Sequence, residues 1–574
     1  MIALALPLML PSVLRAQELP TSAPLSDSTV AVRVDEYFER LAGSGYDGGV
    51  LVVRGDRRLV EKGYGFANRS AGIRADKQTV FNLGSITKQF TAAAILRLEE
   101  QGKLRTTDSI RRFFPSAPAD KRDITLHQLL THTAGFASDF SPTDYEPTTR
   151  DEYMRRMLAS TLRTAPGRAH FYSNAGYSML AAIVEIVTGE EYETALTRLV
   201  LAPAGMRETG YKAPHWASSR LAHGTQNGGD WGTIAERVAG AGQPYWALRG
   251  NGGLGTTLGD MARWDAALRG DAVLADSSRR KFMTGYVNEG PDGRSQYAYG
   301  WAVMRSSRGT RIVTHNGGNG IFVAEWIRFL DDSVTIFVAS TNAAMTASPA
   351  VRTVSRIVFG QPYELPPQRV AITPASLTRV TGSYAVPGGG QLVLRVAGGK
   401  LLADPSGQGA WALLNGGALP IPGAAQLSAT ARTIVDALVK GDAAPLHALV
   451  DGGPPLAEMQ RQEQEMMAGR RARWGALRSV EVLGTVGDAE AFAATTVRLT
   501  FERAAATNIY AWNEAGRIVD LRARPCESTE LVPLGVGEFE TLGAQGAAPL
   551  HLRLDGGVLV ARLAGGAVRL VRAR

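Results

Sequence analysis

The sequence is poor in residues that bind metals or form disulfides: it has one cysteine, Cys526, and eight histidines in 574 residues. A single cysteine cannot form an internal disulfide, and no local cluster of metal-type ligands accompanies it. The closest histidines, His127 and His132, are five positions apart, whereas one helix face requires a spacing of three or four. We therefore expect no structural zinc, no redox chemistry and no cofactor.

Lysine is also scarce, since it accounts for nine of the 62 basic residues, and arginine supplies most of the formal charge of +8. The arginines are scattered along the chain. The densest group, Arg470, Arg471 and Arg473, follows Glu463 and Glu465 in one helical pattern, which is typical of a solvated helix face. The charge pattern therefore argues against a nucleic-acid partner.

A hydrophobic run long enough to span a bilayer is missing as well. The apolar segment "MIALALPLMLPSVLRA" is too short for a membrane-spanning helix but fits a secretory signal, which we place at residues 1–17. A buried N-terminal helix is the alternative interpretation. We expect a periplasmic or secreted protein with no stable membrane anchor after removal of the signal.

The chain is 45% hydrophobic and 20% charged, as in a soluble globular protein, and its length indicates about two to four domains. The pattern from about 30 to 360 is mixed α+β. It predicts a hairpin at 48–66, helices at 85–101, 125–132 and 175–188, and strands near 299–305, 311–314 and 321–340. The last of these strands is broken by Asp331 and Asp332. Strands at both ends of the segment predict one antiparallel sheet with a helical region inserted between them.

A Pro-rich hinge, "GQPYELPPQRVAITP", separates this domain from the rest of the chain. Residues 372–427 and 530–574 both show short strands and glycine turns, whereas residues 428–525 show two helices followed by three long alternating strands. We predict one β-rich module interrupted by an α+β domain, with three modules in series as the alternative. The pattern of 428–525 resembles the cystatin-like, nuclear-transport-factor-type fold.

The segment "GSITKQFT" contains Ser85 and Lys88, three positions apart at the start of an apolar helix. Burial and the positive end of the helix dipole both favour a neutral lysine amine, which could accept the serine's proton. The alternative is that Ser85 caps the helix and the Lys88 side chain extends to solvent. The same spacing recurs at Ser278 and Lys281, but that stretch is polar and we expect its charges to stay in water.

Two further segments carry candidate groups. Tyr172 and Asn174 stand just before a predicted helix, where a phenol could transfer a proton and an amide could bind a carbonyl. The run His315–Gly318 follows a predicted strand, and its glycines would let a substrate lie against exposed backbone N–H groups. Taken separately, the tyrosine could equally anchor packing, and Asn-Gly-Gly is typical of a hairpin turn.

Together these motifs resemble the serine β-lactamase-related family, which includes class C β-lactamases, DD-carboxypeptidases, D-aminopeptidases and esterases. The resemblance covers about residues 30–360 and rests on the order Ser-x-x-Lys, Tyr-x-Asn and His-x-Gly within the segments "TVFNLGSITKQFTAAAILRL", "ITLHQLLTHTAGF", "PGRAHFYSNAGYSMLAAIVEIVTG", "GMRETGY" and "GNGGLGTTLGDMARW". It implies a β-lactamase/transpeptidase-like fold, in which helices flank an antiparallel sheet and form a helical subdomain.

The resemblance also implies roles for individual residues. Ser85 would be the acylated nucleophile, Lys88 its proton partner and Tyr172 a general acid/base, while the order in which lysine and tyrosine act stays open. The backbone N–H groups of Ser85 and Gly318 would form the oxyanion hole. The residues implied to bind the substrate are Asn174, His315, Asn316 and Gly317.

The chain departs from the family at the third motif, where the β-lactamases and carboxypeptidases carry Lys-Thr-Gly and this sequence has His315 in place of the lysine. A mostly neutral imidazole anchors a substrate carboxylate poorly at neutral pH. Arg249 or Arg168 could supply the missing charge. The departure favours esters or peptides that lack this carboxylate contact over efficient β-lactam hydrolysis.

The sequence therefore predicts an exported serine hydrolase whose partner is a small-molecule ester, a peptide or a β-lactam-type substrate. Cleavage of an ester or a D-amino-acid-containing amide ranks first, and β-lactamase or DD-carboxypeptidase activity is the alternative. The rival from another class is a non-catalytic sensor that binds peptidoglycan or β-lactams. No Gly-x-Ser-x-Gly occurs in the chain, which excludes the usual nucleophile elbow of α/β-hydrolases.

Overall fold

The computed structural model describes most of the chain beyond the N-terminal segment. The described residues are 25–573 apart from 142–143, 213, 227–228, 240–244, 291–292, 343–344, 346, 416–420, 451–454, 488–491, 526–527, 542–548 and 564–565. The predicted signal at 1–17 and Cys526 lie outside the described residues. Across these ranges, no helix combines the length and the apolar character needed to cross a membrane.

An eight-stranded antiparallel sheet organises the described residues before 360. The strands in this part of the chain are β1 (Gly48–Arg54), β2 (Arg57–Tyr64), β3 (Phe66–Asn68), β4 (Ile73–Arg74), β5 (Phe81–Asn82), β6 (Gly224–Gln226), β7 (Gly229–Gly232), β8 (Gly255–Thr256), β9 (Val287–Asn288), β10 (Ser295–Tyr297), β11 (Ala302–Arg305), β12 (Arg311–Gly318), β13 (Val323–Phe329) and β14 (Val334–Ser340). The sheet order is β2-β1-β14-β13-β12-β11-β10-β9. Since Gly48 lies opposite Ser340, the N-terminal hairpin joins the sheet beside its last strand.

Helices cover both faces of this sheet. They are α1 (Asp27–Gly43), α2 (Thr87–Glu100), α3 (Leu126–Leu130), α4 (Arg150–Ala159), α5 (Asn174–Thr188), α6 (Tyr192–Leu196), α7 (Ile234–Ala239), α8 (Leu258–Arg269), α9 (Asp276–Phe282) and α10 (Ala347–Val358). In β1, Val50 and Val52 pack with α1 and α10, whereas Leu51 and Val53 pack with α2 and α8. Burial on both faces explains why β1 is a continuous apolar run rather than an alternating one.

The helices between β2 and β9 form the inserted helical region that the sequence predicted, and the α+β fold class is confirmed. The predicted break of 321–340 at Asp331 and Asp332 is a turn between β13 and β14, and in this turn Ser333 adopts a φ of +53°. The predicted strand near 299–305 begins only at Ala302, because Gly300 adopts a φ of +78° and turns the chain. At both positions, a small residue with a positive φ ends the extended backbone within an apolar stretch of sequence.

The part of the chain after the hinge contains a closed barrel and a separate four-stranded sheet. Its strands are β15 (Gly382–Ala385), β16 (Gln391–Ala397), β17 (Lys400–Ser406), β18 (Leu477–Gly487), β19 (Ala493–Phe501), β20 (Ala505–Trp512), β21 (Ile518–Pro525), β22 (Thr529–Gly535), β23 (Glu538–Thr541), β24 (His551–Asp555), β25 (Val558–Leu563) and β26 (Gly566–Arg572). Its helices are α11 (Pro374–Thr378), α12 (Gln408–Leu414), α13 (Ala424–Val439), α14 (Ala444–His447) and α15 (Leu456–Trp474).

The barrel is built from two separate stretches of chain. Its strand order is β15-β16-β17-β22-β23-β24-β25-β26, and Leu401 of β17 lies opposite Leu531 of β22. The chain between these two strands forms the sheet β18-β19-β20-β21, against which α13 and α15 pack. A cystatin-like identity for residues 428–525 stays a prediction.

Candidate active site

Ser85 lies in a short 3-10 turn, Gly84–Ile86, that leads directly into α2. Lys88 occupies the first turn of α2, and its Nζ lies 3.0 Å from Ser85 Oγ. Ser85 is partly exposed, whereas Lys88 is completely buried. The structure therefore brings an accessible hydroxyl against a buried amine, and it contradicts the alternative in which Lys88 extends into solvent.

The other contacts of Lys88 constrain how its amine can bond to the serine. Nζ lies 2.8 Å from Asn174 Oδ1 and 2.9 Å from the backbone carbonyl of Asn251. Both carbonyl oxygens can only accept hydrogen bonds. A neutral amine has two N–H donors and one lone pair, so donation to these carbonyls leaves the lone pair to accept the proton of the Ser85 hydroxyl.

Burial controls the protonation of Lys88. Removal from solvent lowers the pKa of its amine well below the ordinary value, and the carboxylates of Asp139 and Asp144 only partly oppose this. The amine also lies 4.7 Å from the ring centre of Tyr172. Within the described residues, none of its hydrogen-bond partners is a carboxylate, so the neutral form is favoured.

Tyr172 precedes α5 and is partly buried beside the nucleophile. Burial raises the pKa of its phenol, and a hydrogen bond with Ser85 opposes the rise. The phenol therefore keeps its proton at neutral pH. Ser173 caps α5 by accepting a hydrogen bond from the backbone N–H of Gly176, which fixes Tyr172 and Asn174 on either side of the cap.

His315 lies on β12 and is only 6% exposed. Its Nε2 is 3.0 Å from the hydroxyl of Tyr297, and its Nδ1 is 2.5 Å from the carbonyl oxygen of Asn316. Burial, with the nearby Lys88 amine, lowers the pKa of His315 to about 3. The imidazole is therefore neutral, and the Tyr297 hydroxyl donates to Nε2 while Nδ1–H donates to the carbonyl.

The remaining residues of the third motif divide between the two faces of β12. His315 and Gly317 are buried on the face towards Ser85, whereas Asn316 and Gly318 are exposed. The structure thus brings His315 and Gly317 into the site, and it leaves the Asn316 side chain on the opposite face of the strand.

Two glycines allow β12 to approach the nucleophile turn closely. A Cβ on Gly317 would lie 2.0 Å from the Leu83 carbonyl oxygen and 2.9 Å from the Ser85 nitrogen. A Cβ on Gly84, whose φ is +50°, would lie 2.4 Å from the Gly318 nitrogen. Only glycine fits at either position, and the end of β12 consequently packs directly against the turn that carries Ser85.

Several neighbours of the site were not assigned a role from the sequence. The carbonyl of Asn251 binds Lys88, and Tyr297 binds His315. His132, whose spacing from His127 argued against a metal pair, is buried with its ring centre 4.3 Å from that of Tyr172. Its Nδ1 accepts from the Ser173 backbone N–H. The aromatic segment "SQYAYGW" was the available signal for Tyr297. Among the described residues, no group of three or more histidine, cysteine or acidic side chains could hold a metal ion.

The second Ser-x-x-Lys copy has a different environment. Lys281 Nζ lies 2.8 Å from a carboxylate oxygen of Glu99 and 2.6 Å from Thr106 Oγ1. The expectation of a fully solvated segment was wrong for Ser278, which is only 9% exposed because it faces inward from α9. Lys281 is nevertheless paired with an acid and does not contact Ser278.

The two arginines considered as carboxylate anchors differ in placement. Arg249 is 3% exposed, lies 3.4 Å from Glu191 and 3.8 Å from Glu193, and has its guanidinium 4.6 Å from the ring centre of Tyr211. Its charge is therefore balanced inside the protein. Arg168 is exposed on the loop that leads to Tyr172.

A largely apolar cavity of about 430 Å³ adjoins the nucleophile turn. It is lined by Asn82, whose side-chain oxygen accepts from the Gly84 backbone N–H, and by Phe322, which follows the end of β12. Tyr211, Trp216 and other apolar side chains form most of the wall, and Lys212 and His215 also line it. Its size is in the usual range for a small-molecule pocket.

The fold and this constellation of serine, lysine and tyrosine agree with a family assignment. The Beta-lactamase family model matches residues 34–358, which is more than half of the chain. The chain therefore belongs to the Beta-lactamase family, and it is a serine hydrolase.

Individual relatives of the chain come from several bacteria. It is 26% identical over 385 residues to penicillin-binding protein 4* of Bacillus subtilis, covering 63% of this chain and 84% of the relative. It is 26% identical over 336 residues to the D-alanyl-D-alanine-carboxypeptidase/endopeptidase AmpH of Escherichia coli, covering 54% and 84% respectively. It is 33% identical over 219 residues to esterase EstB of Burkholderia gladioli, covering 33% and 54%.

A solved structure extends the likeness to the C-terminal part. The octameric penicillin-binding protein homologue from Pyrococcus abyssi aligns over 94% of this chain and 99% of its own, with a TM-score of 0.51 and 17% identity. At this identity the match concerns the fold alone. The fold shared with that protein therefore includes residues beyond the hydrolase domain.

Proposed function

We propose that this protein forms an acyl-enzyme at Ser85 and transfers the acyl group to water, cleaving an ester or a D-amino-acid-containing amide. The observation that carries the proposal is the position of Lys88 Nζ, 3.0 Å from Ser85 Oγ and held by two carbonyl acceptors. A binding module has no need for a buried, neutral lysine beside an exposed hydroxyl, which is why a non-catalytic sensor ranks below the enzyme.

In the first step, Ser85 Oγ attacks the substrate carbonyl carbon while its proton moves to the lone pair of Lys88. This order follows from the lowered pKa of Lys88 and the raised pKa of Tyr172, because the amine is the group that enters the step without a proton. The negative charge that develops on the carbonyl oxygen would be stabilised by the backbone N–H groups of Ser85 and Gly318, which the close packing of β12 against the Ser85 turn brings near each other.

Collapse of this intermediate breaks the bond to the leaving group. The Tyr172 phenol donates its proton to the departing alkoxide or amine, and the Lys88 ammonium returns a proton to the phenolate. A water molecule then loses a proton to the same pair as it attacks the acyl carbon, and Ser85 leaves with a proton. The cycle restores neutral Lys88 and protonated Tyr172.

The substrate preference follows from the charges around the nucleophile. His315 is neutral, with a pKa of about 3, and Arg249 is held by Glu191 and Glu193. Neither offers a free cation to the carboxylate of a β-lactam or of a peptide C-terminus. An apolar acyl group would instead fit the cavity beside Asn82, so we rank esters first and β-lactamase or DD-carboxypeptidase activity lower.

Two carboxylates favour peptides as the second substrate class. Asp139 and Asp144 lie close enough to Lys88 to act on its pKa. Burial raises the pKa of both carboxyl groups, and for Asp139 hydrogen bonds from Tyr153 and the backbone partly oppose the rise. The free ammonium of an N-terminal D-amino acid would favour the charged form of both. The carboxypeptidase and esterase relatives support both substrate classes.

We further propose that the protein acts outside the cytoplasm, in the periplasm or as a secreted enzyme, after removal of residues 1–17. The apolar composition of this segment supports the proposal. Expression of the full chain in a bacterial host, followed by fractionation and N-terminal sequencing, tests it. Retention of the intact N-terminus in the cytoplasmic fraction would contradict it.

The acyl-enzyme is tested by the intact mass of the full chain after exposure to a fluorophosphonate or a penicillin. We expect one covalent adduct in the wild type and in Ser278→Ala, and none in Ser85→Ala. A rate panel of short-chain p-nitrophenyl esters, D-alanyl amides, a D-Ala-D-Ala peptide and a cephalosporin then ranks the substrates. The absence of both adducts together with the absence of ester turnover would sink the enzyme proposal.

A further inference from the structure

A second cavity lies at the end of β12 opposite to the nucleophile. It has a volume of about 380 Å³ and is bounded by the C-terminal ends of α8 and α9 and by strands β11 to β14. Arg311, at the start of β12, lines it, whereas Gly318, at the other end of the strand, borders Ser85. None of the residues to which we assign a catalytic role lines this cavity.

The lining is rich in arginine. The arginines that line the cavity are Arg269, Arg279, Arg280, Arg311 and Arg328. Five guanidinium groups around one small space repel one another unless anions balance them.

Arg328 is the most deeply placed of these arginines, with 5% of its surface exposed. Its Nε donates to Asp265 Oδ1 at 2.9 Å, and its Nη1 lies 3.9 Å from the sulfur of Met283. No other hydrogen bond of its guanidinium occurs within the described part of the chain. A guanidinium has five N–H donors and a thioether is a weak acceptor, so most of this buried group is unsatisfied by protein.

The protein supplies too few carboxylates for these charges. Asp265 pairs with both Arg328 and Arg269, at 2.9 and 2.7 Å, and it also accepts from Thr335 Oγ1. The Nε of Arg269 and the Oδ2 of Asp265 are both buried without a hydrogen-bond partner, so the 2.7 Å contact between Asp265 and Arg269 is an ion pair only. One carboxylate therefore serves two guanidinium groups at the bottom of the cavity.

The rim shows the same imbalance. Asp276 pairs with Arg279 and Arg280, and Asp331 pairs with Arg311. Among the described residues, three carboxylates thus pair with the five lining arginines. Burial lowers the pKa of Arg328, and although Asp265 opposes this, Arg269 and Arg279 lower it further. Five guanidinium groups and three carboxylates leave a formal excess of two positive charges, and Arg280 and Arg311 lie on the exposed rim.

We infer that this cavity binds a phosphate group, either as free phosphate or as a small phosphate monoester. A phosphate dianion matches the excess of two positive charges, and its oxygens match the paired N–H donors of Arg328 and Arg269. The cavity exceeds the volume of phosphate alone, and Leu268, Val303 and Leu330 give its remaining wall an apolar character suited to a small organic group.

Titration calorimetry on the full-length Ser85→Ala protein tests this site without interference from hydrolysis. The probes are inorganic phosphate, glycerol 1-phosphate and succinate, at constant ionic strength because surface charges respond to salt. We expect saturable binding of both phosphate probes with one site per chain, and weaker binding of succinate. Tighter binding of glycerol 1-phosphate than of phosphate identifies a monoester as the ligand, and equal affinity identifies free phosphate.

Two variants and one control connect the binding to the arginines. Arg328→Met and Arg269→Gln should each weaken phosphate binding about tenfold. Arg269→Gln keeps the buried pair of Arg328 with Asp265, so it remains informative if Arg328→Met unfolds. Arg352→Gln, on the far side of the sheet in α10, should bind like the parent. No saturable binding of either phosphate probe, undiminished affinity in Arg269→Gln, or tighter binding of succinate would overturn the inference.

Discussion

Two segments of this chain share the spacing Ser-x-x-Lys, yet their lysines end in opposite chemical states. Lys88 contacts a hydroxyl and two carbonyl oxygens, whereas Lys281 contacts the Glu99 carboxylate and the Thr106 hydroxyl. Lys88 is fully buried, and Lys281 keeps 34% of its side chain exposed. The difference teaches that the spacing only brings serine and lysine onto one helix face. The partner of the amine decides whether it is a base or a structural cation.

Removal of each amine breaks this comparison most directly. Lys88→Ala should lower kcat/KM for a p-nitrophenyl ester about a thousandfold, because general-base assistance is lost. Lys281→Ala is the matched control and should stay within about twofold of the wild-type rate, since its amine contacts Glu99 and Thr106 rather than Ser85. Steady-state kinetics with both variants checks the pair. Equal losses in the two variants would contradict our distinction between them.

Strand β12 packs closely against the first Ser-x-x-Lys copy, at Ser85. One added methyl group would block this approach. Gly317→Ala should lower kcat/KM about a hundredfold, since a Cβ there would lie 2.0 Å from the Leu83 carbonyl and displace an oxyanion donor. It should also destabilise the fold by about 1–3 kcal/mol. Gly270→Ala, where a Cβ meets nothing within 4 Å, is the control. Kinetics and urea unfolding of the two variants measure both effects, and a fully active Gly317→Ala would disprove the packing argument.

The pH dependence of the reaction sharpens the contrast by reporting the state of Lys88. A protonated amine cannot accept the Ser85 proton, so the rate should be lost as the pH falls through the lowered pKa of Lys88. The acid limb of kcat/KM should therefore lie well below about 10.4, the value of a free lysine. A pH profile from 5 to 10 measures the limb. A rate that rises only near pH 10 would show that the amine stays charged.

At acidic pH, the buried imidazole of His315, beside Lys88, should affect the stability of the fold rather than the reaction rate. His315 has a folded pKa of about 3 against an ordinary value of 6.5. The unfolded state binds a proton at a higher pH than the folded state. The contribution of neutral His315 to the free energy of unfolding is therefore present above pH 6.5 and is lost as the pH falls towards 3. Between pH 8 and pH 5 the loss is about 2 kcal/mol.

His315→Gln should remove this pH dependence while retaining a side chain that can form hydrogen bonds. The measurement is urea unfolding of wild type and variant at pH 8 and pH 5. Parallel losses of unfolding free energy on acidification would mean that the imidazole is protonated in the folded protein.

The smallest effect on stability is expected at the second Ser-x-x-Lys copy, where Lys281 pairs with Glu99. Burial raises the pKa of Glu99, but hydrogen bonds from Lys281 and Thr106 outweigh it and lower the pKa overall. The ion pair of Glu99 with Lys281 therefore stabilises the fold at pH values above the ordinary pKa of a glutamate. This stabilisation is lost as the pH falls through the lowered pKa of Glu99. Glu99→Gln should cost less than about 1 kcal/mol at pH 7 and leave kcat/KM unchanged. Thermal unfolding and kinetics check both, and a loss of ester turnover would link the two copies.

The parts of the site that the sequence could predict are local or carried by residue type. Ser85 and Lys88 are three positions apart, so helix geometry alone brings them together. The sheet was predictable because apolar runs at both ends of the domain need partners. The burial of Ser278 was not predictable, because a seven-residue helix has too little periodicity to identify its inner face.

The parts that were not predictable depend on the backbone and on tertiary contacts. The Asn251 carbonyl binds Lys88 across 163 positions, and a backbone carbonyl has no residue-type signature. The side-chain oxygen of Asn174 accepts from Lys88, a contact across 86 positions that no local pattern indicates. His315 was expected to be mostly neutral, but only the packing of β12 against Tyr297 shows that both of its ring nitrogens are engaged.

The contacts of Lys88 also determine the stage of folding at which this protein becomes reactive. Its partners lie 86 and 163 positions beyond it in the chain. A growing polypeptide therefore exposes Ser85 as an ordinary serine, with a solvated lysine cation beside it. The nucleophile comes into existence only when the domain closes, so folding itself is the activation step.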